Sequence, residues 1–158
     1  DDVNRFISEG TGLDFEMVTR MFLEGVADMR VDMRLLDLAK TLVARNISVG
    51  LVTGNMDVFN QITIERHALY DVFPVIVNSC DYGCLKHEQD GRLFDIAMSM
   101  LGCGRDYGKS LLIDDSARSR AVFRQKGGHA FAYTEYAAFK HWADSNLGLL
   151  DSTPAFDG

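Results

Sequence analysis

The sequence predicts an α/β fold: a three-layer parallel sheet with helices on both faces and a small helical cap element at the N-terminal end. Two observations predict it. From residue 47 onward, short apolar runs alternate with helical patterns, which is the order in which right-handed crossovers build a parallel sheet. These runs are almost continuously apolar, as expected for strands that are covered on both faces. A chain of 158 residues is also long enough to bury one core.

The N-terminal third of the chain is predicted to be helical. Apolar residues spaced three and four apart from Phe15 to Val26 indicate a helix, and Asp14 can serve as its N-cap. A second helix is predicted over 33–44, where leucines and alanines make a broad apolar face. We therefore divide the chain into a helical cap-like segment (1–32), an α/β core (33–145) and an irregular C-terminal tail (146–158).

Four strands and four further helices follow in alternation. The strands are predicted at 47–52, 74–78, 110–113 and 129–133. The helices are predicted at 57–67, 93–101, 116–126 and 135–142, with glycines ending the second and the third of them.

Composition limits the classes of partner. The chain carries 16 Lys and Arg against 23 Asp and Glu, a formal net charge of −7, which argues against a basic nucleic-acid interface. No apolar run approaches the roughly 18 residues of a membrane span. The three cysteines lack zinc-ligand spacing, and the acidic first residues do not resemble a signal peptide. We therefore expect reduced thiols in a cytoplasmic protein that binds neither nucleic acid nor membrane.

Residues that suit a phosphate follow the first two strands. In open parallel sheets, ligands bind beyond the carboxyl ends of the strands. Thr53, Gly54 and Asn55 follow the first strand and offer a hydroxyl and a free backbone N–H to a phosphate oxygen. Lys86 lies in the loop after the second strand and offers a positive charge.

Two adjacent carboxylates, Asp114 and Asp115, leave the third strand. They are costly beside an apolar strand unless a cation or hydrogen-bond donors meet them, and Mg²⁺ prefers such oxygen ligands. Each signal has a structural alternative: Thr53 as a turn residue, Lys86 as a solvated lysine, and the acidic pair as a cap for the helix near Ser116. The order hydroxyl, lysine, acidic pair behind successive strands favours the functional interpretation.

This order resembles that of the haloacid dehalogenase-like (HAD) superfamily. Its second motif, a Thr or Ser after a strand, is matched by Thr53 in GLVTGN. Its third, a Lys in a loop before a helix, is matched by Lys86 in YGCLKHEQDGRLFDIAMSMLG, and its fourth, an acidic pair after a strand, by Asp114 and Asp115 in SLLIDDS. The resemblance covers about residues 33–142, and the preceding helices look like the helical cap that some members insert.

The resemblance implies a Mg²⁺-dependent hydrolase, most specifically a phosphatase that acts on a small phosphate ester through an aspartyl-phosphate. Thr53, the Gly54 N–H and the Asn55 loop would hold the phosphoryl oxygens. Lys86 would offset the charge of the phosphate and of the nucleophile. Asp114, with Asp115 as a second ligand or next to it, would hold the magnesium.

The family's first motif, an apolar strand ending in D-x-D-x-T/V, has no match in the 158 residues. We expect it upstream of the chain, in which case the protein is an enzyme. The alternative is a non-catalytic HAD-like binding or regulatory domain that lacks the nucleophile. In the family's sheet the missing strand separates those that match 47–52 and 110–113. We therefore expect an outside strand to fill that place; the alternatives are the tail 147–153 or direct pairing of these two strands.

Overall fold

The computed structural model describes residues 2–147 and shows a mixed α/β fold, as predicted at this level. The predicted tail and the segment 147–153 lie outside the described residues, apart from Asn146 and Leu147. The helices are α1 Asp2–Thr11, α2 Phe15–Ala27, α3 Met33–Ala44, α4 Ile64–Arg66, α5 Ser79–Tyr82, α6 Arg92–Met100, α7 Ala117–Gln125 and α8 Tyr136–Leu147. The strands are β1 Gly50–Thr53, β2 Val75–Asn78, β3 Leu111–Asp114 and β4 His129–Ala132.

By its internal contacts the chain divides into two compact units, Asp1–Gly83 and Cys84–Gly158. Each unit holds one pair of parallel strands with helices around it. The predicted boundaries between cap, core and tail stay predictions.

The first unit begins with two helices that have well-defined local signals. The Asp14 carboxylate accepts hydrogen bonds from the Glu16 and Met17 N–H groups, so the predicted N-cap of α2 is confirmed. Helix α3 has the predicted bounds, and Leu36 and Ala39 on its buried face join the apolar core of this unit. The other buried members of that core are Phe59, Ile64, Leu69 and Val72.

Strand β1 starts three residues later than predicted because the end of α3 uses the preceding residues. Asn46 has a left-handed φ of 60°, and its N–H donates to the Val43 carbonyl at 2.9 Å. The Ile47 N–H donates back to the Leu42 carbonyl at 3.0 Å. These two bonds form a Schellman closure, which satisfies carbonyls at the helix end and delays the strand to Gly50.

The segment predicted as a helix over 57–67 is helical but not regular. It forms a π-helix at Phe59–Thr63, which continues as α4. Phe59 and Thr63 are buried on the inner side of this turn, while Asn60 is turned toward the end of β2 and hydrogen-bonds to Asn78. π-helical turns are rare and are often found at functional sites.

The second unit has an aromatic core. The Phe123 ring makes edge-to-face contacts with the Phe94 and Tyr107 rings, each at a centroid distance of 5.2 Å. Gly128 lies against Phe123 so closely that a Cβ there would stand 2.5 Å from Cδ1 of the ring. Gly128 is therefore needed for packing, while the left-handed φ of 93° that follows the end of α7 belongs to Gly127.

Helix α8 is longer than the predicted 135–142. It extends to Leu147, because Phe139 and Ala143 keep one face buried at 2% and 1% exposure. Lys140 and Asp144 form an ion pair of 2.7 Å one turn apart on this helix.

Among residues 2–147 the strands form two parallel pairs, β1 with β2 and β3 with β4. Gly50 pairs with Val75 and Thr53 with Asn78; Leu111 pairs with His129 and Asp114 with Ala132. Direct pairing of β1 with β3 is not found in this part of the chain. None of the helices described here combines the length and the hydropathy that a bilayer crossing requires.

Candidate functional site

Thr53 and Asn55 meet at the carboxyl end of β1. The Asn55 side-chain amide donates to Thr53 Oγ1 at 2.5 Å, and the Asn55 backbone N–H donates to Asn78 Oδ1 at 3.0 Å. The hydroxyl of Ser79 donates to the Asn55 carbonyl at 3.1 Å. The loop that follows β1 is therefore held from both sides, and it presents the Thr53 hydroxyl in a fixed position.

Asn78 holds this end of the first unit together, and it was not predicted from the sequence. Its side chain is completely buried. The amide nitrogen donates to the Met56 carbonyl at 3.2 Å and to Asn60 Oδ1 at 2.8 Å. The signal that could have pointed to it is the amide that closes the apolar run VIVN, where an apolar residue would otherwise be expected.

Gly54 is exposed, and a Cβ at this position would have open space around it. Its predicted role therefore depends on its N–H alone and not on the absence of a side chain. That role stays a prediction.

Lys86 and Asp114 form a tight ion pair in the second unit. Lys86 Nζ lies 2.6 Å from Asp114 Oδ2, and the side chains are only 20% and 4% exposed. The Ser116 N–H donates to Asp114 Oδ1 at 2.8 Å, so both carboxylate oxygens of Asp114 accept a hydrogen bond. Two of the predicted site residues, 28 positions apart in the chain, are thus in direct contact.

Asp114 and Asp115 precede the start of α7, but neither of them is the N-cap residue of this helix. The N-cap of α7 is Ser116, whose hydroxyl accepts from the Ser119 N–H at 3.3 Å. Asp114 accepts the backbone N–H of this cap residue, and Asp115 is exposed with no hydrogen bond to another described side chain. Asp115 is therefore free to bind a ligand, and Asp114 is shared between Lys86 and the start of the helix.

The carboxylate oxygens of Asp114 and Asp115 are ligands of the type that Mg²⁺ prefers. The buried Asp114 carboxylate retains a lone pair on each oxygen, and the neighbouring Asp115 carboxylate is solvated. Mg²⁺ is usually bound through one or two carboxylates, with water and phosphate as its other ligands. No cluster of three or more His, Cys, Asp or Glu side chains suited to a metal occurs in residues 2–147.

Thr53 belongs to the first unit and Lys86 to the second. The predicted proximity of these two residues stays a prediction. What the described residues show is one preorganised loop after β1 and one buried ion pair after β3.

A second polar cluster in the second unit joins three side chains from different elements. The Tyr107 hydroxyl donates to Asp95 Oδ1 at 2.6 Å, and Lys126 Nζ lies 2.9 Å from Asp95 Oδ2. Burial acts to raise the pKa of Asp95, but the hydrogen bonds from Tyr107 and Lys126 and the charge of Lys126 outweigh it and lower that pKa below 3.8. Burial, followed by the Asp95 contact, raises the pKa of the Tyr107 hydroxyl.

Because the folded-state pKa of Asp95 is lowered, its contribution to stability is full above pH 3.8 and is lost as the pH falls through the folded-state value. We expect Asp95→Asn to lower the free energy of unfolding by about 1–3 kcal/mol at pH 7. The difference from the parent should shrink below pH 3.8, as urea denaturation at a series of pH values would measure. Asp37→Asn is the control, because Asp37 is 71% exposed. A difference that stays constant down to pH 3 would contradict this assignment.

The three cysteines are free thiols. Cys80 is exposed, but partial desolvation, its hydrogen bond to Asp81 and the charges of Asp81 and Asp57 raise its thiol pKa. A raised pKa lowers the thiolate fraction at neutral pH, so Cys80 is a poor nucleophile.

Comparisons with known proteins give a fold relative without a function. No protein-family model matches the chain, and no curated protein matches it. A solved structure with a similar fold is that of an uncharacterized protein from Corynebacterium glutamicum, with a TM-score of 0.53 and 20% sequence identity. The match covers 79% of this chain and 88% of that one. At this level of identity the similarity concerns the fold alone.

Proposed function

We propose that the chain is part of a magnesium-dependent hydrolase of the HAD type, a phosphatase that acts on a small phosphate ester. The observation that carries the proposal is the Lys86–Asp114 pair, at 2.6 Å and largely buried behind β3. Burying two charges costs several kcal/mol per ion unless the geometry is good, so a buried pair is weak support for stability alone. A cation and a carboxylate held together at a strand end are the groups that a phosphate and a metal ion require.

In this proposal the residues of the chain position and neutralise charge. Thr53 Oγ1 and the Gly54 N–H donate to phosphoryl oxygens, and the hydrogen bonds around Asn55 keep the loop in place beforehand. Lys86 offsets the negative charge that the phosphoryl group presents. Asp114 and Asp115 hold the metal ion, which supplies charge neutralisation when it is bound.

The nucleophile of such a hydrolase would be an aspartate that is not among the 158 residues. Its carboxylate oxygen forms a bond to phosphorus while the bond to the leaving alcohol breaks, and water then displaces the enzyme carboxylate to release phosphate. The finer fold belongs to the same proposal: a three-layer sheet in which an additional strand bears this aspartate. The two separate strand pairs support it, because sheets most often have about 4–6 strands.

The test is phosphate binding by calorimetry in the presence of Mg²⁺, with vanadate as a second probe. We expect Lys86→Ala to weaken binding by about 2–3 kcal/mol, or roughly 30–150-fold, because a desolvated charge-assisted hydrogen bond is lost. Lys86→Arg should not restore it, since a planar fork replaces a point charge. Lys109→Ala is the control, because Lys109 is exposed and belongs to the same unit.

Equal affinity for phosphate in Lys86→Ala and the parent would contradict the proposal. A double-mutant cycle between Thr53→Ala and Lys86→Ala measures whether both residues contact the same phosphate, since residues that share one ligand give non-additive losses.

A second candidate function is a non-catalytic phosphate-binding or regulatory domain. It is favoured by the absence of a D-x-D-x-T/V motif from the 158 residues. A chain with Lys86-dependent phosphate binding that releases no phosphate from p-nitrophenyl phosphate would be this second protein. For either function we propose a cytoplasmic location, which the three free cysteines support.

A further inference from the structure

Arg120 makes an unusual contact with the acidic end of β3. Its side chain reaches back from α7, and Nη1 donates to the main-chain carbonyl of Asp114 at 2.8 Å. The Nε of the same guanidinium is buried and has no hydrogen-bond partner among the described residues. No carboxylate within residues 2–147 forms an ion pair with Arg120, so this charge is directed at a carbonyl.

That carbonyl has a second donor. The Tyr133 N–H also donates to it, at 3.1 Å, just beyond the last pair of the β3–β4 ladder. The two donors fix the peptide that leaves Asp114, and the Ser116 N–H at Oδ1 then fixes the carboxylate relative to that peptide. The direction in which Asp114 presents its carboxylate is therefore set in part by Arg120.

A partly buried guanidinium with an unpartnered N–H is costly, because an unsatisfied buried donor loses its hydration without a replacement. Arg124, one turn further along α7, offers a comparison. Its Nη2 donates to the Ala130 carbonyl on β4 at 2.5 Å, so it fastens the same helix to the same sheet away from the acidic pair. The hydrogen bond from Arg124 thus already links α7 to β4 without Arg120.

We propose that Arg120 is a positioning residue for the Asp114 carboxylate in the magnesium site. This role rests on the proposed function. Arg120 does not touch the metal; it holds the Asp114 main chain so that the carboxylate is oriented before the ion arrives. Groups that orient a metal ligand in this way typically change metal affinity by 10–100-fold when they are removed.

The experiment is a Mg²⁺ titration by calorimetry on the full 158-residue chain. We expect Arg120→Met to weaken Mg²⁺ binding by about tenfold. Arg120→Lys retains a cationic donor at the end of a long side chain, so it should stay within about threefold of the parent. Arg124→Met removes the matched guanidinium–carbonyl bond and should lower the unfolding midpoint while leaving Mg²⁺ affinity unchanged. If Arg120→Met does not fold, Arg120→Gln takes its place and carries the same expectation.

Equal loss of Mg²⁺ affinity in the Arg120 and Arg124 variants would overturn the positioning role. The loss of affinity would then follow from destabilisation of α7 as a whole. Unchanged affinity in the Arg120 variant would overturn it as well. Asp114→Ala separates this failure from failure of the proposed function. If Asp114→Ala binds Mg²⁺ as the parent does, or if the parent binds none, the magnesium site itself is wrong.

Discussion

Asp114→Ala is expected to abolish Mg²⁺ binding at millimolar concentrations and to lower the free energy of unfolding by about 3 kcal/mol. The first effect follows because the variant loses the buried carboxylate of the candidate site. The second follows because Lys86 is left largely buried without its partner, and removing one member of a buried pair is far more costly than removing both. Calorimetry measures the first effect and urea denaturation the second.

Two further variants make this prediction specific. Asp115→Ala should weaken Mg²⁺ binding less and should leave stability nearly unchanged, because Asp115 is exposed. The double variant Asp114→Ala/Lys86→Met should recover most of the lost stability without recovering the metal, since no unpaired charge remains. Unchanged Mg²⁺ affinity in Asp114→Ala would rule out the metal assignment.

Asn78→Leu is expected to lower the free energy of unfolding by about 3–5 kcal/mol. Leucine has a similar volume, but it would leave the Asn55 N–H, the Met56 carbonyl and Asn60 Oδ1 without their partner. These hydrogen bonds are partly buried, and a buried polar group left without a partner costs about 1–3 kcal/mol. The same change should release the loop after β1 and weaken phosphate binding.

Asn78→Asp is the informative comparison. The carboxylate can still accept the Asn55 N–H, but it cannot donate to Met56 or Asn60 and it places an unpaired charge at a fully buried position. A loss of stability at least as large as that of Asn78→Leu is therefore expected at neutral pH. Thermal unfolding followed by circular dichroism orders the three proteins. If Asn78→Leu were as stable as the parent, the amide network would not be what holds this loop.

The helices were predictable where the signals are local. Asp14 caps α2 as expected, and α3 has the predicted bounds, because capping and apolar spacing act within a few residues. The start of β1 was predicted too early because Ile47, a residue of high strand propensity, closes α3 together with the left-handed Asn46. The end of α8 depends on burial of Ala143, which short-range patterns do not reveal.

In the candidate site, too, some contacts could be predicted from the sequence and others could not. The meeting of Lys86 with Asp114 could be expected from the predicted parallel sheet, in which both residues would follow strands at the edge where ligands bind. Asn78 and Arg120 could not be identified in this way. An amide at the end of an apolar run and an arginine in a helix become significant only when their partners are known, and those partners lie up to 23 positions away.

Within the described residues, β1 is paired on one side with β2, and β3 on one side with β4. A parallel strand turns alternate peptide groups to opposite sides, so about half of the N–H and C=O groups of each strand point away from its partner. A segment that pairs with these N–H and C=O groups binds to the backbone of the strand and not to its side chains. Alanine scanning or charge reversal would therefore overlook whatever pairs there, whereas an N-methylated peptide added as a competitor would detect it.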